Sequence, residues 1–399
     1  MQMKFLLISI IILLCIPVYA DECPLVLNGI DALEKENFKP LLNKKIGLIT
    51  NHTGRNCKGT STIDVIYNAK GVKLIALFSP EHGIRGDQDR EGIASETDKK
   101  TGLPVYSLYG QTKRPTSEML KNIDALVFDI QDIGARFYTY ITTLGYCMEE
   151  AAKNNIEFFV LDRINPINGK DVEGDVLDAK ARFFTGYYPI PIRHGMTIGE
   201  IANYYNKKFN IGAKLTVIKI LNWRRDMWLD ETGMEWVNTS PNMRSLTAAT
   251  LYPGIGCFEA TNISVGRGTD KPFEYIGASW LNGEELAKRM NSLNLAGIKF
   301  EPITFTPDAS LYKGEKCSGL KIEITDRNKL KITRVYIYMV SIIKQLHPDK
   351  FKYLKLESMI GTDSVTKMLD GNLEPLITIN EISKRTDNFI KDRENYLLY

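Results

Sequence analysis

After Pro40, short and nearly unbroken apolar runs alternate with amphipathic stretches. Lys45–Thr50 (KIGLIT), Val72–Phe78 (VKLIALF), Asp124–Asp129 (DALVFD) and Glu157–Leu161 (EFFVL) read as strands buried on both faces, because an apolar run without alternation leaves no solvent side. Between them, Ser61–Ala69, with Thr60 or Ser61 as its cap, and a stretch from about Tyr138 to Asn154 carry helical spacing. Thr197–Phe209 reads as a further helix with Thr197 and Glu200 in capping-box register, and Leu215–Ile220 follows as a strand. Strand, helix, strand in this rhythm predicts βαβ units and a parallel sheet with helices on both sides.

From Trp223 to Thr269 the periodicity weakens and Gly, Pro, Asn, Trp and Arg accumulate, a composition suited to long functional loops over a sheet edge. Near Lys271 the character changes again. Glu284–Leu293 reads as a helix, Lys299–Phe305 and Gly319–Thr325 as strands, Leu330–Leu346 as extended and then helical, and the charged tail from Ser364 as helix. The chain is therefore expected to be α/β: a parallel-sheet domain over residues 27–270 and a smaller α+β domain over 271–399.

Residues 1–20 are set aside. Lys4, an apolar run from Phe5 to Val18 and a small residue before Asp21 have the form of a secretory signal peptide, too short and too early for a comfortable membrane span. The expected location is periplasmic or extracellular, with no stable membrane span after cleavage; Cys15 lacks the small preceding residues of a lipoprotein cleavage site. The 399 residues carry 51 Lys and Arg against 48 Asp and Glu, and removing the leader takes away Lys4 alone, leaving 50 − 48 = +2. That balance, with no basic stretch, argues against nucleic acid as a partner and leaves the oligomeric state unspecified. Five cysteines remain in the mature chain, none in a CxxC pair, so a zinc ribbon has no support. Cys23 and Cys57 are one plausible disulfide, and the others read as buried structural thiols.

In an open parallel sheet, ligands sit beyond the carboxyl ends of the strands. Asn51 and His52 follow the first strand; Glu81, His82 and Arg85 the second; Asp129, Gln131, Asp132 and Arg136 the third; Asp162, Arg163 and Asn165 the fourth. Glu81 is the sharpest candidate, between a proline and a histidine in a Gly-punctuated turn. A carboxyl held beside apolar strand ends resists ionisation, which keeps a general acid protonated near neutral pH. Pairing with Arg85 or Arg90 is the competing reading. Asp129 and Asp132 add the second carboxyl that acid/base hydrolysis needs, or with His82 an oxygen/nitrogen metal set, although no HxH or HExxH pair supports metal. The chain lacks GxGxxG, GxxxxGK[ST] and GxSxG, which argues against a dehydrogenase, an NTPase and a serine hydrolase. Asn238, Asn242, Arg244, Glu259, Asn262 and Arg267, among Trp and Tyr, suit a sugar.

Ser79–Gly86 (SPEHGIRG), Phe128–Tyr140 (FDIQDIGARFYTY), Leu161–Pro166 (LDRINP), Pro191–Thr197 (PIRHGMT), Ser240–Met243 (SPNM) and Glu259–Thr269 (EATNISVGRGT) together resemble the exo-β-N-acetylmuramidase (NamZ-like) family. The resemblance runs from about Gly29 to the end of the chain. It implies a Rossmann-like domain, a smaller C-terminal domain and a cleft between them, without a cofactor. The implied activity is release of N-acetylmuramic acid from non-reducing ends of peptidoglycan-derived saccharides. It further implies Glu81 as the catalytic carboxylate. With that frame, Asp129 or Asp132 is the expected partner of Glu81. Arg85, Arg136, Arg193 or Arg267 is expected to hold the lactyl carboxylate. Asn51, His52, His82, Arg163, His194, Asn242, Glu259 and Asn262 are expected to bind substrate. A metal-dependent deacetylase or hydrolase of cell-wall sugars and a non-catalytic muropeptide-binding protein are the competing readings.

Overall fold

The computed structural model describes residues 23–87, 92 and 94–399; the expected leader lies outside them, as does Arg90. Twelve strands occur among the described residues. In chain order they are β1 (Lys45–Thr50), β2 (Lys73–Ser79), β3 (Glu96–Thr97), β4 (Pro104–Ser107), β5 (Ala125–Asp129), β6 (Glu157–Leu161), β7 (Glu173–Val176), β8 (Pro191–Arg193), β9 (Lys214–Ile218), β10 (Tyr275–Ala278), β11 (Ile298–Phe305) and β12 (Cys317–Ile324). The main sheet runs β3-β4-β2-β1-β5-β6-β9. Its pairs are parallel except at the β3 edge. The chain builds outward from β1 to β2 and β4, then returns to lay β5, β6 and β9 on the other side. The order thus reverses between β1 and β5, which is the Rossmann arrangement with its switch point there. β3 and β4 are too short to stand out in the sequence, as is the separate β7–β8 antiparallel pair.

Alternate residues of the central strands feed opposite cores, as the two-residue strand period requires. Ile46, Leu48, Val127, Phe159 and Leu161 join one apolar cluster, with Ile30 of the Gly29–Lys35 helix. Ile49, Phe78, Phe128, Phe158 and Val160 join the other. The second cluster extends through the Tyr140–Lys153 helix into the C-terminal part, where it takes in Phe258, Ile276 and Val340. The capping box at Ile198–Lys208 is present in both directions, with Glu200 N–H donating to Thr197 Oγ1 at 3.2 Å and Thr197 N–H to Glu200 Oε2 at 3.0 Å.

The C-terminal part is an antiparallel sheet ordered β10-β12-β11 with helices Gly283–Ser292, Ile332–Leu346 and Pro375–Arg393. Two elements differ from expectation. The segment expected to begin extended at Leu330 is helical from Ile332, and the loop segment contains a helix at Leu246–Ile255. The Leu246–Ile255 helix is buried around most of its circumference and shows no one-sided spacing, whereas Ile332–Leu346 keeps a less buried side at Arg334, Tyr338, Ile342 and Gln345, and only its start, rich in β-branched residues, reads as extended. They pack against each other: a side chain added at Gly254 would meet the carbonyl of Ile332.

Tyr399 returns to the carboxyl edge of the main sheet. Its hydroxyl donates to Asp162 Oδ2 at 2.7 Å and accepts the Ile220 N–H at 2.8 Å. Burial pushes the Asp162 carboxyl up to about 7, against donors that include Tyr399, Gly199 N–H and the Thr197 hydroxyl. Between the ordinary carboxylate range and pH 7 the folded protein therefore keeps a proton the unfolded chain has released. Its contribution to stability falls as pH rises through that window. Above it, Asp162 is charged and most dependent on its donors. Tyr399→Phe should thus cost more at pH 8 (about 1.5–3 kcal/mol, a bond to a charged group) than at pH 5, where about 1 kcal/mol is expected. Urea unfolding at the two pH values checks the difference; an equal loss at both would contradict it.

Candidate active site

β2 ends at Ser79 and the chain turns sharply through Pro80–Gly86, with His82 at φ 70° and Gly83 at φ 77°. Two successive left-handed residues are costly for His82 and free for glycine, so only a turn held by its surroundings keeps them. The turn leaves Glu81 half-buried at the carboxyl end of the strand. Glu81 Oε2 accepts a 2.5 Å hydrogen bond from the Thr139 hydroxyl. Thr139 occupies the N-cap of the Tyr140–Lys153 helix, yet its side chain makes no capping bond; the hydroxyl is turned to Glu81 instead. The carboxylate thereby sits beside the positive end of a 14-residue helix.

Glu81 and His82 line a cavity of about 270 Å³ between the two parts of the chain. Phe137, Tyr138 and Thr139 come from the carboxyl edge of the main sheet, and Tyr252, Glu259, Arg267 and Phe273 face them from the Leu246–Ile255 helix and the chain that follows it. The aromatic walls interlock edge to face: Phe137 with Tyr252 at 5.0 Å and Tyr252 with Phe273 at 4.7 Å between centroids. The Tyr138 hydroxyl donates to Thr239 Oγ1 at 2.6 Å, and burial pushes the Tyr138 and Tyr252 phenols up, so both stay neutral. Glu259 Oε1 accepts from Arg267 Nε at 2.6 Å, and that guanidinium lies 5.6 Å from the Phe273 ring centre. The hollow lies just below the ~300–1,000 Å³ of sites for drug-sized ligands, a size for one sugar ring. It offers the two carboxyls of Glu81 and Glu259, the His82 imidazole, aromatic walls and a guanidinium. Among the described residues, no three His, Cys, Asp or Glu side chains converge as a metal site would.

Comparison with known proteins decides the family. Residues 46–247 match the description "Exo-beta-N-acetylmuramidase NamZ, N-terminal" and residues 250–399 its C-terminal counterpart. The chain belongs to the exo-β-N-acetylmuramidase NamZ family. It is 45% identical, over 94% of its length and 92% of the relative's, to the peptidoglycan β-N-acetylmuramidase NamZ of Bacillus subtilis (strain 168). Two DUF1343 family crystal structures from Bacteroides fragilis NCTC 9343 share its fold. One has a TM-score of 0.89 at 37% identity, covering 95% of this chain and 100% of that one. The other has a TM-score of 0.77 at 30% identity, covering 94% and 99%.

Of the residues singled out in the sequence, this NamZ family member gathers Glu81, His82, Glu259 and Arg267 around the cavity. The others lie elsewhere. Asp129, expected as a second catalytic carboxylate, is fully buried and clamped by Arg163, through Nε at 2.5 Å and Nη2 at 2.9 Å, and by the Thr62 hydroxyl. Asp132 is buried against His194, 3.5 Å from Nε2, and accepts the Gly134 N–H. His194 Nδ1 accepts from Met196 N–H, which places the ring proton on the Nε2 that faces Asp132. Arg136 spends its guanidinium on the carbonyls of Asp175, Ile190 and Met359, and Arg193 on Glu173 and the Ile167 carbonyl. Neither is placed to receive a lactyl carboxylate. Asn51 is buried between Thr53 and the Tyr140 hydroxyl, and Asn262 ties the chain to Lys350 and Lys352. Asn242 is buried in the Ser240–Met243 turn. His52 Nε2 bonds the Asn238 carbonyl at 2.6 Å and packs so tightly on Gly86 that a side chain there would collide with the ring. Arg85 is exposed on a neighbouring groove with His52.

Thr139, Phe273 and Met359 line the cavity and were not singled out beforehand. Thr139 had a signal, since a threonine opening an apolar helix is a cap candidate. That signal points to capping, whereas the hydroxyl serves Glu81.

Proposed function

We propose that the protein is an exo-acting glycoside hydrolase that releases N-acetylmuramic acid from non-reducing ends of peptidoglycan fragments. One observation carries the reading: Glu81 and the Glu259–Arg267 pair face into the same sugar-sized cavity of a NamZ-family fold. Because Thr139 donates to Oε2, that oxygen is the acceptor, and Oε1 is left to carry the proton delivered to the glycosidic oxygen. Arg267 is the one guanidinium of the expected four that lines the cavity, so it is assigned the lactyl carboxylate. Glu259 positions Arg267 by holding its Nε. The aromatic walls hold the sugar ring, and a water molecule entering the cavity supplies the oxygen that bonds to the anomeric carbon as the protonated glycan oxygen departs. The leader-like residues 1–20 and the Cys23–Cys57 disulfide support export to an oxidising compartment.

The test is product analysis. Fragments ending in N-acetylmuramic acid at the non-reducing end should release it, and fragments capped there by N-acetylglucosamine should release nothing. Release from both, or from neither, would contradict the reading. The assignment of Arg267 has its own test. Arg267→Met should raise KM for an aryl β-N-acetylmuramide roughly thirtyfold, the ~2 kcal/mol at the low end of a lost charge partner. The weak affinity for free N-acetylglucosamine, which lacks the lactyl group, should not change. An equal loss on both sugars would make Arg267 structural.

A further inference from the structure

The reading above accounts for one sugar; an exo-enzyme must also accommodate the rest of its substrate. Three hollows run together along the carboxyl edge of the sheet. The Glu81 cavity shares Ser240 with a groove of about 610 Å³ whose sides include His52, Arg85 and Pro241. That groove shares Arg55 and Trp236 with a third hollow of about 340 Å³. The third hollow lies at the switch point: Thr53 and Gln131 line it just beyond the ends of β1 and β5. This is where a Rossmann-like sheet receives a ligand, and the residues assigned to catalysis leave it unused.

The rim is held rigidly. Arg55 Nε donates to the His52 carbonyl at 2.8 Å, and the Arg55 carbonyl accepts from the buried Arg163 at 2.8 Å. The Cys23–Cys57 disulfide closes the loop two residues further on. Trp236 Nε1 donates to Asn238 Oδ1 at 3.1 Å, leaving the indole half-buried. Polar groups lining the switch-point hollow are already engaged: Asp31 by the N–H groups of Cys57 and Asn28, the Gln131 amide nitrogen by the Asp132 and Ile164 carbonyls. The path presents the half-buried Trp236 ring and the exposed guanidinium groups of Arg55 and Arg85, with Asp87 and Glu235 as the acidic side chains beside them. In the substrate, the unit beyond the scissile bond is an uncharged sugar with an apolar ring face. The unit after it is a muramyl sugar bearing a carboxylate.

We propose that this groove binds the glycan beyond the scissile bond. A sugar stacks on Trp236, and the acidic substituent of the following muramyl unit pairs with Arg55. The inference rests on the muramidase reading for the direction of the chain.

The test is titration calorimetry on the full protein carrying Glu81→Gln, which prevents cleavage. The ligands are a tetrasaccharide of alternating N-acetylmuramic acid and N-acetylglucosamine and free N-acetylmuramic acid. Adding Trp236→Ala or Arg55→Ala should weaken the tetrasaccharide about tenfold. The affinity for the monosaccharide should stay the same, and Trp236→Phe should restore most of the loss. A tetrasaccharide that binds no tighter than the monosaccharide, or variants that weaken both ligands alike, would overturn the groove. If the monosaccharide fails to bind while the tetrasaccharide still depends on Trp236 and Arg55, the groove stands and the assignment of the Glu81 cavity falls.

Discussion

Glu81→Gln should lower turnover of an aryl β-N-acetylmuramide by about 10²–10⁴, the usual contribution of a positioned general acid. Substrate should still bind. The amide has the shape of the carboxyl and keeps an oxygen to accept from Thr139, so the cavity wall is preserved. It has no proton to give the glycosidic oxygen. The expected pattern is therefore a collapse of kcat with little change in the affinity for N-acetylmuramic acid. Retained turnover would remove Glu81 from the chemistry, and a collapse of binding as well as kcat would make it a binding residue.

The second large effect falls on stability. Asp129→Asn should cost roughly 3–5 kcal/mol, because it leaves the Arg163 guanidinium buried without its counter-charge. Asp129 is fully buried and Arg163 nearly so, and the pair joins the ends of β5 and β6 beneath Arg55. Replacing both partners by apolar residues of similar size should cost less than removing either alone. Denaturant unfolding of the single and double variants measures this. The alternative, Asp129 as a catalytic carboxylate, makes the opposite prediction: a variant of native stability with no activity. The folded fraction of Asp129→Asn should instead cleave the muramide.

The contrast between Glu81 and Asp129 shows what the sequence could carry. Both are carboxylates at the end of a buried parallel strand, and the strand pattern located both edges correctly. What separates them is the partner each meets from far along the chain. Asp129 meets Arg163, 34 residues away, and Thr62, 67 residues away. Glu81 meets a hydroxyl 58 residues away and, among the described residues, no such clamp. No local pattern encodes those meetings. The same limit applies to the arginines. Arg136, Arg193 and Arg267 all lie near Gly or Pro and read alike as carboxylate forks. Buried carbonyls consume the first, a buried glutamate and a carbonyl the second, and only Arg267 lines the cavity with Glu81. The helix at Leu246–Ile255 is obscured for a simpler reason. A segment buried on most sides has no polar stripe, so its period cannot be read. By contrast, the strands at β1 and β6 and the Thr197–Glu200 capping box carried signals that burial does not erase.

The central claim is that the Glu81 cavity recognises and cleaves a muramic acid glycoside. Its most direct measurement is turnover of the aryl β-N-acetylmuramide by the native protein, beside the matching β-N-acetylglucosaminide, each with and without EDTA. The account predicts cleavage of the muramide, strong preference over the glucosaminide and no effect of the chelator. Folded protein that cleaves neither sugar, cleaves both equally, or loses activity with EDTA would contradict it.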